Sequence, residues 1–198
     1  TGLNIRGVSV VGWGAVGLAV LALAPIAALV IVGLGRLQFV PWDPLTAGGT
    51  TLAEGLGLGL AVVMWNYSGW DTPTMCLGET RNPERVFRRA LALSLPVITL
   101  AYLLAVGIGL AAAGGWQEWG PGALPRIGAQ IGGAWLGGWI SMGAALSTAG
   151  LFLSLLLTNS RLPFVLAQAG QMPSVVAKVH ARYGTPWVAV VLSSVIYS

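Results

Sequence analysis

Asn66-Tyr67-Ser68-Gly69-Trp70-Asp71-Thr72-Pro73 interrupts an otherwise apolar segment that runs from Gly55 to Gly78. Pro73 has no amide hydrogen, and its ring clashes with the carbonyl four residues back, that of Gly69, whose missing side chain adds backbone freedom. Regular helix is therefore expected to fail between residues 67 and 72, leaving two half-helices near the middle of the segment. In a bilayer such a break is costly, because lipid satisfies neither the freed amides nor the freed carbonyls. Non-helical backbone persists at that depth only where it is packed in protein or lines a watery cavity, so the break marks a candidate binding site.

The remainder of the chain reads as membrane-embedded. Of its 198 residues, 56% are hydrophobic and 8% charged, against about 25% charged in ordinary soluble domains, and the mean hydropathy is +0.79. Apolar runs at 8–34, 90–113 and 134–158 each reach the roughly 20 residues a spanning helix needs. The predicted fold is thus an all-α integral membrane protein with one transmembrane domain over 1–198. Its spans fall at 8–34, 55–78 (broken at 67–72), 90–113, 134–158 and a truncated 186–198. Thr1 is neither an initiator Met nor the start of a signal peptide, and the chain reads as a piece of a longer protein.

A net charge of +4 and a pI of 9.8 do not make this a nucleic-acid binder, because the cations follow the topology. With alternating spans, Arg6, Arg81, Arg85, Arg88, Arg89, Arg161, Lys178 and Arg182 fall on one side and only Arg36 and Arg126 on the other. That bias puts the first side in the cytoplasm of a multi-pass cell-membrane protein. Trp116, Trp119, Trp135 and Trp139 then cluster near the outer interface, Tyr183 and Trp187 near the inner one. Cys76 has no partner for a disulfide within the chain, and the single His180 leaves no metal-ligand set. No Ser-His-Asp arrangement or nucleotide-binding loop is present, so no catalytic residue, metal or cofactor is assigned.

The break itself offers several readings. The first half-helix ends around Trp65 to Ser68, where free carbonyls with partial negative charge suit an ammonium group. Asp71 either caps the second half-helix, accepting from the Thr74 amide with Pro73 in the first turn, or serves as an intramembrane cation partner or proton relay. Trp65, Tyr67 and Trp70 are either packing aromatics or site aromatics. Trp65, one turn before the break, is the ring best placed to cover a cationic amine. Gly143, Ser147, Gly150, Ser154 and Thr158 recur at helical spacing and share one face. Such a stripe lets helices approach closely; alternatively Ser147 and Ser154 line a pathway. Pro25 and Pro96 read first as kinks and second as hinges.

The stretch WNYSGWDTPTMCLGET at 65–80, followed by Arg81, Asn82, Pro83, Glu84 and Arg85, resembles the sixth helix of permeases of the amino acid-polyamine-organocation superfamily. Gly69, Asp71, Gly78, Glu79, Asn82, Pro83 and Arg85 fit that pattern, with Glu79, Asn82, Pro83 and Arg85 forming its cytoplasmic motif. A second stretch, with Arg161, Gly170, Pro173, Lys178, His180, Gly184, Thr185 and Pro186, resembles the loop between helices eight and nine. The chain is thereby similar to helix five through the start of helix nine. Trp116, Glu118, Trp119, Gly120 and Gly122, followed by Trp135 and the region from Gly143 to Gly150, are similar to the polyamine-uptake branch.

The resemblance implies a LeuT-like five-plus-five inverted-repeat fold, with substrate between interrupted helices one and six and helix one outside this chain. It implies a secondary active transporter of amino acids or polyamines, working by alternating access with proton coupling or exchange. By the same resemblance, Trp65, Asn66, Tyr67, Ser68, Gly69, Trp70 and Asp71 form the substrate segment for a small-molecule amine. The carbonyls of Trp65 and Ser68 receive the amine, Trp65 gates it, and Asp71 stands at the proton-linked position. Three departures stand out: Arg88 replaces a frequent Pro, Leu155 lies near a position that is Trp in some exchangers, and the first span has no Lys. A permease-shaped nutrient sensor and, more remotely, an intramembrane enzyme are the competing function classes; the latter needs a second acid or a Ser-His or metal pair at membrane depth.

Overall fold

The computed structural model describes residues 1–43, 46 and 49–197, apart from the side chains of Val8, Glu79 and Glu118. The described residues form helices and no strands: α1 Gly2–Ile5, α2 Val8–Leu34, α3 Leu52–Asn66, a 3-10 helix Thr72–Glu79, α4 Pro83–Ala113, a 3-10 turn Trp116–Glu118, α5 Ala123–Gly132, α6 Ala134–Asn159, α7 Arg161–Gln168, a 3-10 turn Ser174–Ala177 and α8 Trp187–Ile196.

Among the described residues, three helical stretches are long and apolar enough to cross a membrane: Ser9–Leu34, Pro83–Ala113 and Ala134–Gln168. The composition explains why. α2 carries no charged residue over its 27 positions and is apolar all round, the pattern of a helix whose solvent is lipid. Trp13, Val20 and Ile31 are accordingly exposed on it. α4 begins at Pro83, seven residues ahead of the apolar run at 90. Proline is tolerated at a first helical position, Glu84 suits the first turn, and the arginines that follow are good helix formers. α3 and α8 are apolar but shorter than a membrane crossing.

The chain divides into two compact units, and α2, α4 and α6 each contribute a part to both. One unit comprises Leu21–Gly69 and Leu91–Ala144. Its core joins Leu29 of α2, Ile108 of α4, Ile127 and Ile131 of α5, and Leu136 and Ile140 of α6. α5 is an amphipathic helix whose Ala123, Ile127 and Ile131, at intervals of four, are buried. Glycines make the close approaches. A Cβ on Gly137 would lie 2.7 Å from the Pro125 carbonyl oxygen of α5, and one on Gly143 would lie 2.7 Å from Cγ of Pro25. Pro25 thus sits against a gap left by Gly143 within α2 and α6, and both are buried.

The other unit comprises Thr1–Val20, Trp70–Ala90 and Ala145–Ser198. Ala167, Val176 and Ala189 form its small core, with Phe164 and Met172 packed against them. Hydroxyls tie its ends: Thr185 Oγ1 donates to the Ile5 carbonyl at 2.6 Å, and Thr1 and Ser194 share a hydrogen bond at 2.6 Å. Gly150 meets Leu18 of α2, where a Cβ would lie at an ordinary 3.5 Å from its Cβ. The small-residue stripe therefore contacts α2 at Gly143 and at Gly150, each within its own unit.

Candidate functional site

The interruption falls where Pro73 and Gly69 put it: α3 ends at Asn66, and the next helical residue is Thr72. Gly69 has φ +88°, a backbone state that a side chain disfavours, so a glycine is required at the turn out of α3.

The α3 side belongs to the first-described unit and is closed at both ends. At its start, Thr51 Oγ1 accepts from the Glu54 amide while the Glu54 carboxylate accepts from the Thr51 amide at 2.8 Å, a reciprocal capping box. These bonds from Thr51 hold the Glu54 carboxyl below the usual glutamate value. At its end, the Asn66 side chain donates to the Val62 carbonyl, and the Tyr67 amide to the Val63 carbonyl. The Ser68 amide and hydroxyl both donate to the Trp65 carbonyl, the latter at 2.7 Å. That corrects the sequence expectation for Trp65: its carbonyl is not free but is taken by Ser68, because a serine three residues on folds back onto the helix end. Trp65, by contrast, is 81% exposed as a residue. Tyr67 reaches α4, sharing a 2.6 Å hydrogen bond with Thr99 Oγ1 and a tilted ring contact with Tyr102 at 6.4 Å.

Trp70 and Asp71 belong to the other unit. Trp70 is half-buried and Asp71 exposed. Asp71 precedes the 3-10 helix with Pro73 in its first turn, yet its side chain makes no capping hydrogen bond. The expected cap to the Thr74 amide is made instead by the Asp71 backbone carbonyl, which also accepts from the Thr74 hydroxyl. The reason is local. Capping side chains turn back from an extended residue, whereas Asp71 is already helical at φ −75°, ψ −27°. Among the described residues its carboxylate has no capping role.

Downstream, Thr80 Oγ1 closes the 3-10 helix on the Cys76 carbonyl at 2.9 Å. Asn82 then adopts φ +51° and its carbonyl accepts from the amides of Arg85 and Val86, starting α4 with Pro83 as the first helical residue. This gives Asn82 and Pro83 a physical role in turning the chain. The side chain of Glu79 lies outside the described residues. Arg85 is exposed beside Asn82. On α6, Ser147 is exposed and Ser154 half-buried, with the Ser154 carbonyl accepting from Thr158 Oγ1. Among the described residues no group of three His, Cys, Asp or Glu side chains is arranged to hold a metal. The Tyr67–Thr99 bond had no sequence signal; only Thr99 and Tyr102, one turn apart on a helix, hint that a polar and an aromatic group share a face.

The model of a protein family described as amino acid permease matches residues 1–198. The chain belongs to the amino acid permease family. Among its curated relatives, this permease chain is 34% identical over 195 residues to polyamine transporter RMV1 of Arabidopsis thaliana, covering 98% of the chain and 39% of the relative. It is 32% identical to polyamine transporter PUT1 of Oryza sativa subsp. japonica, covering 97% of the chain and 35% of that protein. It is 25% identical to the serine/threonine exchanger SteT of Bacillus subtilis (strain 168), over 85% of the chain and 39% of the exchanger. The permease chain thus spans about two fifths of the length of these relatives. No solved structure matches it significantly.

Proposed function

We propose that the chain is the part of a secondary active transporter that contributes the interrupted helix of the substrate site, moving small amine-bearing solutes across the cell membrane. The observation that carries this reading is Asp71: a carboxylate in the interruption of an apolar segment, left without a capping bond. An acid in such a place is costly to insert and is retained for a cation, whether a proton or a substrate ammonium. The similarity to two polyamine transporters favours a polyamine, whose several ammonium groups call for a fixed anion and for an aromatic face such as the exposed Trp65 ring.

In this reading Asp71 pairs with a substrate ammonium or carries the coupling proton. Trp65, taken by itself, is the ring that covers a cationic amine, and Gly69 lets backbone approach it. Asn66, Tyr67 and Ser68 shape the end of α3, and Trp70 stands beside Asp71 in sequence. Ser147 and Ser154 line the pathway along α6. Opening and closing proceed by alternating access, with hydrolysis of nothing. The test is uptake of a labelled diamine by proteoliposomes that contain the complete protein. Saturable uptake competed by polyamines, reduced more by Trp65→Ala than by Trp135→Ala, is expected. Saturable binding without flux would replace transport by sensing, and equal losses at the two tryptophans would move the site elsewhere.

A further inference from the structure

Arg85, Arg88 and Arg89 stand at positions i, i+3 and i+4 of α4 and therefore share one helical face. All three are exposed, as is Arg81 just ahead of the helix. None of the four pairs with a carboxylate among the described residues, Glu84 included. With Glu84 counted, residues 81–89 still carry a surplus of three positive charges, four arginines against one glutamate. Asn82, Pro83, Glu84, Arg85 and Arg88 line a cavity of about 400 Å³, shaped by the left-handed backbone of Asn82 at φ +51°.

The height of this face on α4 decides what it meets. The apolar part of the helix, Ala90 to Ala113, rises about 36 Å, enough to fill a hydrocarbon core of about 30 Å with some tilt. The two turns before it then lie in the headgroup layer rather than in bulk water. A guanidinium fork binds phosphate oxygens bidentately and is weakly hydrated, so several unpaired guanidiniums at that level match a phosphodiester.

We infer that Arg85 and Arg88, supported by Arg89 and Arg81, form a binding site for the phosphate of an anionic phospholipid headgroup. The inference stands on the membrane setting of α4 and not on which solute the complete protein carries. Each arginine near an anionic membrane surface contributes about a fivefold gain in affinity. The cavity at Arg85 and Arg88 makes the site local, which a general excess of charge is not.

The test is native mass spectrometry of the complete protein released from micelles that contain equal phosphatidylglycerol and phosphatidylcholine. The parent should retain phosphatidylglycerol in preference. Arg85→Gln with Arg88→Gln should reduce that preference by about 25-fold, while the charge-matched pair Lys178→Gln with Arg182→Gln should reduce it by less than about threefold. Arg85→Lys with Arg88→Lys, which keeps the charge but loses the fork, should fall between. Circular dichroism and melting of each variant separate loss of the site from loss of the fold. Equal losses in the two glutamine pairs would overturn the site in favour of diffuse charge. Displacement of the lipid by millimolar glycerol phosphate or inorganic phosphate would overturn the lipid as the ligand and leave a soluble-phosphate site.

Discussion

The two halves of the interrupted segment are built on different terms. Leu52–Asn66 is a regular α-helix with a reciprocal capping box at one end and side chains of Asn66 and Ser68 folded onto carbonyls at the other. Thr72–Glu79 is a 3-10 helix with no side-chain cap at its start. In the first half the polar groups are consumed by local structure, and what remains available is the Trp65 ring. In the second, the backbone does its own capping and the acid is left over. A residue type that favours caps is thus no guide to its role unless its backbone state is known: Asp71 is helical, and an N-cap is not. The difference separates two kinds of polar residue within one short interruption, those that finish a helix and one whose side chain makes no cap.

Hydrogen exchange gives the largest expected contrast between the halves. Hydrogen bonds in 3-10 geometry are poorer than those of an α-helix, and segments with few fixed contacts open more readily. Amides of Met75 to Gly78 should exchange at least about tenfold faster than those of Leu58 to Val62 in the same sample. Equal protection would mean that the 3-10 helix is as firmly held as α3 and would remove the distinction.

Tyr67 sharpens the comparison at the end of α3. Tyr67→Phe deletes the hydroxyl shared with Thr99 and should lower stability by about 1 kcal/mol, read from thermal unfolding in detergent. Thr99→Val should cost a similar amount, and the double variant should cost no more than either alone, because both remove one bond. Full additivity of the two losses would show that the bond is not what either residue contributes.

The smallest effect is at Glu54, ahead of the 55–78 span. Its carboxyl is held below the usual glutamate value by the Thr51 amide and hydroxyl. A carboxyl depressed in the folded state contributes stability above its unfolded value and loses it as pH falls through the folded one. The capping box should therefore persist below the ordinary glutamate range and open only in stronger acid. A carbon-detected NMR titration should give Glu54 a midpoint below that of a free glutamate, and Thr51→Ala should raise it. A midpoint unchanged by Thr51→Ala would assign the shift to another cause.

Much of the helical order was legible because apolar runs and their breakers act locally. The run from Val8 to Leu34 needs no tertiary information to be helical, and Gly69 with Pro73 ends a helix wherever it occurs. α4 began before its apolar run because charged residues such as Arg88 favour helix as well as apolar ones do. α5 has no clear signal in the sequence because Pro125 and four glycines within or beside it, Gly122, Gly128, Gly132 and Gly133, mask a buried face of Ala123, Ile127 and Ile131. The candidate segment was legible as a break, but not its internal hydrogen bonding. Whether Asp71 or its carbonyl caps Thr74 depends on one ψ angle, and whether Tyr67 meets Thr99 depends on a pairing of residues 32 apart. Neither is encoded in periodicity.

The central claim is that Asp71 supplies charge rather than a helix cap, and Asp71→Asn measures it most directly. Asparagine caps a helix as well as aspartate does but carries no titrating charge. The measurement is the affinity of the complete protein, in liposomes, for a labelled diamine and for a neutral amino acid, with melting temperature as the control for fold. The account predicts an unchanged melting temperature together with one of two losses. Either diamine affinity falls by about tenfold or more, as for a broken charge pair, or accumulation driven by a pH gradient is lost while exchange survives. Unchanged affinity, unchanged pH dependence and unchanged accumulation in a folded variant would contradict it.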